Sequence, residues 1–244
     1  MRLKEGKVSS KGALFRQAIS EEKPLQIMGV INAYVAMMAE KTGFRALYLS
    51  GAGVANSAFG LPDLGMTSLD NVCEEARRII TSVEAPLLVD VDTGWGNSLM
   101  VARTIKTMEA AGVAAIHLED QSFFKRCGHR EGKMIESKKV MTDRIKAAVD
   151  ARRDPQFVIM ARSDAFSSEG LERTIERALA YIEAGADMLF LEALTDISDY
   201  IACRIFLSQR FHLLFGPGHQ MALCARLYPV PCQKRIGLRY PSAY

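Results

Sequence analysis

One unit recurs three times along this chain of 244 residues, and it limits the possible folds more than any other feature. Its copies are Glu40-Lys-Thr-Gly43-Phe-Arg-Ala-Leu-Tyr-Leu-Ser50, Glu109-Ala-Ala-Gly112-Val-Ala-Ala-Ile-His-Leu-Glu119 and Glu183-Ala-Gly185-Ala-Asp-Met-Leu-Phe-Leu-Glu192. In each, a helical stretch stops at a glycine, and seven residues later a polar residue closes a short apolar run. Glycine suits the left-handed position just past a helix end, because it has no Cβ to clash there. The helix faces recur at helical spacing: Val72, Ala76, Ile79, Ile80 and Val83; Val101, Ile105 and Met108; Leu171, Ile175, Ala178, Leu179 and Ile182.

Six apolar runs read as strands: Leu25–Val30, Ala46–Leu49, Pro86–Val91, Val113–Leu118, Phe157–Ala161 and Met188–Leu191. Strands of this kind alternating with helices imply a parallel sheet covered on both faces. Polar residues gather at the carboxyl ends: Asn32, Ser50, Asp90 with Asp92, Glu119, Arg162 with Asp164, and Glu192. In a (β/α)8 barrel these ends converge on one mouth, where the active site lies. An open doubly wound sheet gathers ligands only near its switch point. Polar groups at all six ends favour the barrel. The expected fold is therefore α/β, a (β/α)8 TIM-type barrel that is incomplete, with about six βα units recognisable in residues 1–200. No phosphate loop or GxGxxG motif is present.

Composition narrows the class. With 49% hydrophobic and 24% charged residues, the chain can bury one large core. Its charged first residues lack an apolar h-region, so no signal peptide is expected. No run approaches the ~18 apolar residues of a membrane span. The five cysteines (73, 127, 203, 224, 232) are odd in number and form no CxxC pair, which argues against a disulfide framework or zinc site. The expectation is a reduced, cytoplasmic protein with neither membrane nor nucleic acid as partner.

Two motifs carry chemistry. Lys125-Arg-Cys-Gly-His-Arg130 places a thiol among Lys125, Arg126, His129 and Arg130 on one glycine-containing loop. A positive field favours thiolate and lowers the thiol pKa, so Cys127 could serve as an acid or base near neutral pH. The plainer alternative is a solvated basic turn with an incidental cysteine. In Leu87-Leu-Val-Asp90-Val-Asp92-Thr-Gly-Trp-Gly96, two carboxylates two residues apart face the same side of a strand end. A paired-oxygen site with room for water suits Mg2+. Here the plainer alternative is an Asp-rich turn; Glu119 and Glu192 at neighbouring strand ends favour a shared cluster.

Together with Leu61-Pro-Asp63, Ile159-Met-Ala-Arg-Ser-Asp164 and Tyr48-Leu-Ser-Gly51, these motifs resemble the 2-methylisocitrate lyases of the isocitrate lyase and phosphoenolpyruvate mutase superfamily, from about Lys11 to Tyr200. The cysteine loop separates such lyases from mutases, decarboxylases and hydrolases on the same barrel. The resemblance implies a Mg2+-bearing cytoplasmic homotetramer that cleaves a 2-hydroxy tricarboxylate, 2-methylisocitrate, to pyruvate and succinate in propionate catabolism (the methylcitrate cycle). It makes Asp90 and Asp92 metal ligands, supported by Asp63 and Glu119. It makes Ser50, Gly51 and Ala52 a backbone N–H cradle for a carboxylate or keto acid. Cys127 becomes the catalytic acid that protonates the succinate precursor, beside Gly128, with Lys125 and His129 in support. Arg162 and Glu192 become substrate contacts. Ala52 replaces a usual glycine and Leu191 a usual proline, which leaves isocitrate lyase and oxaloacetate decarboxylase activity as alternatives. A non-catalytic partner of an intact paralogue is a further one.

Residues 201–244 differ in kind. They hold no Asp or Glu, six Lys or Arg, three of the five cysteines and four of the eight prolines. No seventh or eighth βα unit is legible there. Isolated cations among apolar residues make a poor nucleic-acid arm, and the segment reads as an aberrant basic tail from a frameshift. One base later, the codons of Val230-Pro-Cys-Gln-Lys-Arg-Ile236 can encode a segment resembling the family's arginine motif. Impaired lyase activity and poor solubility are expected to follow.

Overall fold

The computed structural model describes residues 9–128, 130 and 132–214. Its six strands are Ile27–Val30 (β1), Ala46–Leu49 (β2), Leu87–Asp90 (β3), Ala115–Glu119 (β4), Val158–Ser163 (β5) and Met188–Leu191 (β6). They form one sheet in sequence order, each strand parallel to the next. All six expected strands are present, with bounds moved by a residue or two. β4 and β5 run further than the sequence suggests, so Glu119 and Arg162 are partners within the ladder, as are Asp90 and His117. Those side chains stand on strands rather than on loops.

The helices are Lys11–Glu21 (α1), Ala33–Lys41 (α2), Gly51–Phe59 (α3), Leu69–Ile80 (α4), Ser98–Ala110 (α5), Lys138–Ala151 (α6), Phe166–Glu183 (α7) and Ile197–Leu214 (α8). The three repeat glycines end α2, α5 and α7 with φ of 97° (Gly43), 89° (Gly112) and 103° (Gly185). Behind each, two backbone bonds satisfy carbonyls of the last turn, as in Gly43 N to Glu40 O (2.9 Å) and Phe44 N to Ala39 O (3.2 Å). Asn32, Ser50, Ser68, Asn97 and Ser137 cap the amino ends of α2 to α6 by accepting backbone N–H bonds.

Strand alternation sorts the core into two sides. Leu47, Leu49, Val89, Ile116, Leu118, Ile159 and Leu189 pack among the helices. Ala46, Tyr48, Leu88, Ala115, Val158, Met160 and Met188 form a second cluster on the other face. There β2, β4 and β6 meet although they are not neighbours. The His117 ring lies 5.6 Å from both Tyr48 and Phe190. Side chains from alternate strands filling one layer are the signature of a barrel interior, so the sheet curls as part of a (β/α)8 barrel. Phe15 and Ile19 of α1 pack on this inner cluster. At Gly12 a Cβ would lie 2.4 Å from Gln156 O and 2.7 Å from Phe157 N, so only glycine lets α1 approach the start of β5. The sequence reading did not assign α1, although Phe15, Ala18 and Ile19 have helical spacing.

No helix among the described residues is long and apolar enough to cross a membrane. The expected boundary at residue 200 falls within α8, whose Cys203 and Leu207 join the core. Residues 215–244, and with them most of the segment read as frameshifted, lie outside the described residues.

Candidate active site

The carboxyl ends of β2 to β6 build one cluster with two halves. In the first, Ser50 caps α3, accepting from Gly53 N at 3.3 Å, while Gly51 N donates to Asp90 Oδ2 at 3.1 Å. Ala52, half-buried, follows in the first turn. A Cβ on Gly51 would meet Asp92 Oδ1 at 3.0 Å and Asp90 Oδ2 at 3.2 Å, so both carboxylates face the same glycine. The helix start favours negative charge at this point. The ammonium of Lys125 lies 2.6 Å from Asp63 and 2.6 Å from Asp92. Lys125 is thus bonded to one acid just past β3 and one in the segment between α3 and α4, where the sequence grouped it with the cations around the thiol.

Burial governs the protonation of this half. It pushes Asp92 up to about 6, against the pull of Lys125 and with the repulsion of Asp90. Burial also opposes ionisation of Asp90, yet His117, Lys125 and Arg162 together hold its carboxyl below the usual range. His117 is pushed down to about 4 by burial and is neutral at pH 7. Its Nε2 lies 2.9 Å from Tyr48 OH, and its Nδ1 has no hydrogen-bond partner. The Tyr48 phenol is raised well above its usual value by burial and then by Asp90. Glu119, fully buried with neither oxygen hydrogen-bonded, is driven well above the carboxylate range by desolvation.

The second half is built on Arg162. Its Nε and Nη2 donate to the two oxygens of Asp164 at 2.8 and 3.1 Å, a fork that fixes the guanidinium plane. Glu192 Oε2 lies 3.4 Å from Nη2, Glu119 Oε2 3.5 Å from Nε, and the Phe190 ring 5.1 Å from the guanidinium carbon. The cysteine loop comes down on this arginine. A Cβ at Gly128 would fall 2.4 Å from Arg162 Nη2 and 2.7 Å from Glu192 Cγ. Cys127 is half-buried at the adjacent position. His129 lies outside the described residues.

Three non-glycine residues among those described have positive φ: Asp92 (47°), Trp95 (58°) and Ala193 (62°). Two lie in the turn after β3 and one directly follows Glu192, so backbone strain collects at this mouth.

The structure thus brings together Ser50, Gly51, Asp63, Asp90, Asp92 and Lys125 in one half, and Gly128, Arg162 and Glu192 in the other, with Glu119 against Arg162. Sequence reasoning missed Tyr48, His117, Gln121 and Lys133, and placed Asp164 at a strand end without giving it a role. A signal for two of these was available. Tyr48, His117 and Phe190 each stand five residues past a repeat glycine, on the same strand face as the polar residue two positions on.

The donor set fits a hard cation. Asp90, Asp92 and Glu119 offer only oxygen, Glu119 is buried without a hydrogen-bond partner, and an ammonium already lies against Asp92. Among the described residues no three acidic, histidine or cysteine side chains enclose a single point. Mg2+, held by one or two carboxylates and otherwise by water or substrate oxygens, matches this better than an ion requiring a full protein cage.

Comparison with known proteins gives consistent neighbours. Residues 15–209 match the model of the phosphoenolpyruvate phosphomutase family. A 2-methylisocitrate lyase of Shewanella oneidensis is 63% identical over 191 residues, which are 78% of this chain and 65% of that protein. The chain therefore spans about two thirds of that relative's length. Among solved structures, an oxaloacetate acetylhydrolase bound to 3,3-difluorooxalacetate superposes with TM-score 0.78 at 37% identity, covering 82% of this chain and 69% of the other. A phosphonopyruvate hydrolase complexed with oxalate and Mg2+ gives TM-score 0.69 at 30% identity, covering 82% and 68%.

Proposed function

The chain belongs to the phosphoenolpyruvate phosphomutase family, and from that premise we propose that its mouth is the site of a carbon–carbon lyase cleaving 2-methylisocitrate to pyruvate and succinate. One observation carries the reading. The cysteine loop lies against Arg162 and Glu192, with Gly128 so close that no side chain fits between them. In this reading the thiol of the neighbouring Cys127 is the acid that works next to a guanidinium suited to a carboxylate. The 63% identity to a 2-methylisocitrate lyase supports the substrate.

In this reading Arg162, its plane fixed by Asp164, binds a carboxylate of the substrate. The amino end of α3, with Ser50, Gly51 and Ala52, faces the part that becomes the 2-oxo acid. The hydroxyl proton leaves to solvent and the carbon–carbon bond breaks, giving pyruvate and the aci-carboxylate of succinate. Transfer of a proton from Cys127 Sγ to carbon completes succinate, and the thiolate left behind regains a proton from solvent. Asp90 and Asp92, with Asp63 and Glu119 in support, would hold Mg2+, which as a Lewis acid stabilises developing oxyanion charge. Lys125 balances that acid cluster. A homo-oligomer, a tetramer as the resemblance implies, acting in the cytoplasm in propionate breakdown completes the proposal.

The test is product analysis at enzyme concentrations comparable to substrate, so that the low turnover expected from residues 201–244 is still seen. With Mg2+, 2-methylisocitrate should yield pyruvate and succinate in equal amounts. Glyoxylate from isocitrate at a higher rate would move the assignment to isocitrate lyase. Release of neither, by protein that folds, would sink the lyase reading.

A further inference from the structure

The loop after β4 is closed by a residue that neither its motif nor its chemistry singles out. The stem is built by backbone pairing: Gln121 bridges Ile135, and Ser122 N donates to Met134 O at 2.8 Å. Gln121, fully buried, clasps Arg126 by both backbone groups, accepting from its N–H at 2.9 Å and donating to its carbonyl at 2.8 Å. Beyond Arg126 the loop turns across the mouth. Lys133, five residues after Gly128, sends its ammonium back under this turn. It donates to Gly128 O at 2.7 Å and lies 3.3 Å from Asp164 Oδ1, with its side chain 1% exposed and that of Asp164 fully buried.

The geometry is specific. Asp164 already holds the Arg162 fork, takes Lys133 on the oxygen that receives Nη2, and has its own backbone N–H bonded to Asp120. The shorter Lys133 bond goes to the loop carbonyl rather than to the acid. One carboxylate therefore orients the arginine and anchors the cation that grips the loop. Gly128 is the residue that cannot accept a Cβ against Arg162 and Glu192.

We propose that Lys133 is the positioning residue of the cysteine loop, a buried ammonium that ties the Gly128 carbonyl to Asp164 and so registers Cys127 over Arg162. Lys133 need not touch substrate. It acts through Gly128 and Asp164, and a loop without it keeps its Gln121 clasp but swings at the cysteine. This inference deepens the lyase reading by naming what sets the thiol, although the contact itself does not require that reading.

The test reads Cys127 directly. Iodoacetamide labelling is followed by peptide mass spectrometry, with the pH raised until the rate levels off, so that access rather than ionisation is compared. In K133M, which keeps length and loses charge, the plateau rate at Cys127 should rise about tenfold, the scale expected for losing a charged hydrogen bond. Labelling of the buried Cys73 and Cys203 should stay at the parent's level. Pyruvate release, read in parallel, should lose about 100-fold in kcat while KM moves less than about threefold, as for a misplaced catalytic group. If K133M does not fold, K133Q carries the test. Its amide can still donate to Gly128 but has no charge for Asp164, and a rise of about threefold is expected. An unchanged plateau rate in a folded variant overturns the proposal, because a lysine that only neutralises Asp164 would alter stability and leave the thiol as it was. Labelling that rises as expected in protein without lyase turnover upholds the positioning role and counts against the lyase reading alone.

Discussion

The repeated unit begins with a glutamate and ends on a polar residue, and the two stand at opposite ends of one sheet under opposite conditions. At the amino end, two of the three repeat glutamates, and Asp187 close to the third, are well hydrogen-bonded. Glu40 accepts from Glu84 N and Ala85 N at 2.8 and 2.7 Å, and Glu109 accepts from the backbone of Arg153 and Asp154. Asp187 takes Arg16 at 2.8 Å, Arg152 at 2.6 Å and Ile159 N at 2.9 Å. At the carboxyl end Glu119 is more deeply buried, and neither of its oxygens is hydrogen-bonded. A group left in that state costs about 1–3 kcal/mol, which a fold retains only where something else uses the group. In the proposed reading one end of the barrel serves stability and the other ligands, as the architecture leads one to expect.

The largest way to test the contrast is at the thiol. Cys127→Ser should lower pyruvate release by about 1,000-fold, within the range for removing a positioned acid, and leave the urea midpoint where it was. Unaltered turnover would remove Cys127 from the chemistry. Next comes Gly128→Ala, whose Cβ would sit 2.4 Å from Arg162 Nη2. The loop must lift, and a loss of about 100-fold in kcat is expected with little change in melting temperature. A turnover equal to the parent's would mean that the loop works in a different position.

At the other end the effects should exchange. Asp187→Asn breaks a nearly buried acid away from two arginines that are one-quarter and one-fifth exposed. A loss of about 2–3 kcal/mol is expected from urea unfolding, below the full value for a buried pair because water screens the arginines. Turnover per folded molecule should not change. A drop in turnover without a stability change would mean that the two ends are not separable.

How much of this was legible follows from the same contrast. The three glycines, the six strands and the polar strand ends are written in local pattern, because helix ends and strand alternation depend on a few neighbouring residues. The converging acids were legible too, since a barrel sends every strand end to one mouth. The destination of Lys125 was not, because which acid a lysine reaches depends on the path of the segment between α3 and α4, where Asp63 and Gly65 sit. Lys133 was illegible for a similar reason. Its partner Asp164 is 31 residues away, and nothing near Gly-Lys-Met marks that cation as buried. α1 was missed because its buried face is narrow and its partner is the underside of the sheet.

The smallest expected effect is the most discriminating, since one substitution made at both ends should change sign. Glu109→Gln presents an amide nitrogen to backbone N–H donors, and about 1 kcal/mol of stability should be lost. Glu119→Gln, in protein freed of divalent ions by a chelator, should instead gain about 1 kcal/mol, because a buried carboxyl without a hydrogen-bond partner is replaced by a group that never ionises. The pH dependence follows from the raised folded-state pKa of Glu119. Well below 4.5, the ordinary glutamate value, folded and unfolded chains both hold the proton and ionisation costs nothing. As pH rises past that value the unfolded chain ionises first, and the parent loses stability until the folded-state pKa is passed. The gain in Glu119→Gln should therefore be small near pH 4.5 and larger at pH 8, read as urea midpoints at the two values. A destabilised Glu119→Gln would show that Glu119 is as well satisfied as Glu109, and a gain equal at both pH values would show that burial does not oppose its ionisation; in either case the division between the two ends of the sheet would fail at its central residue.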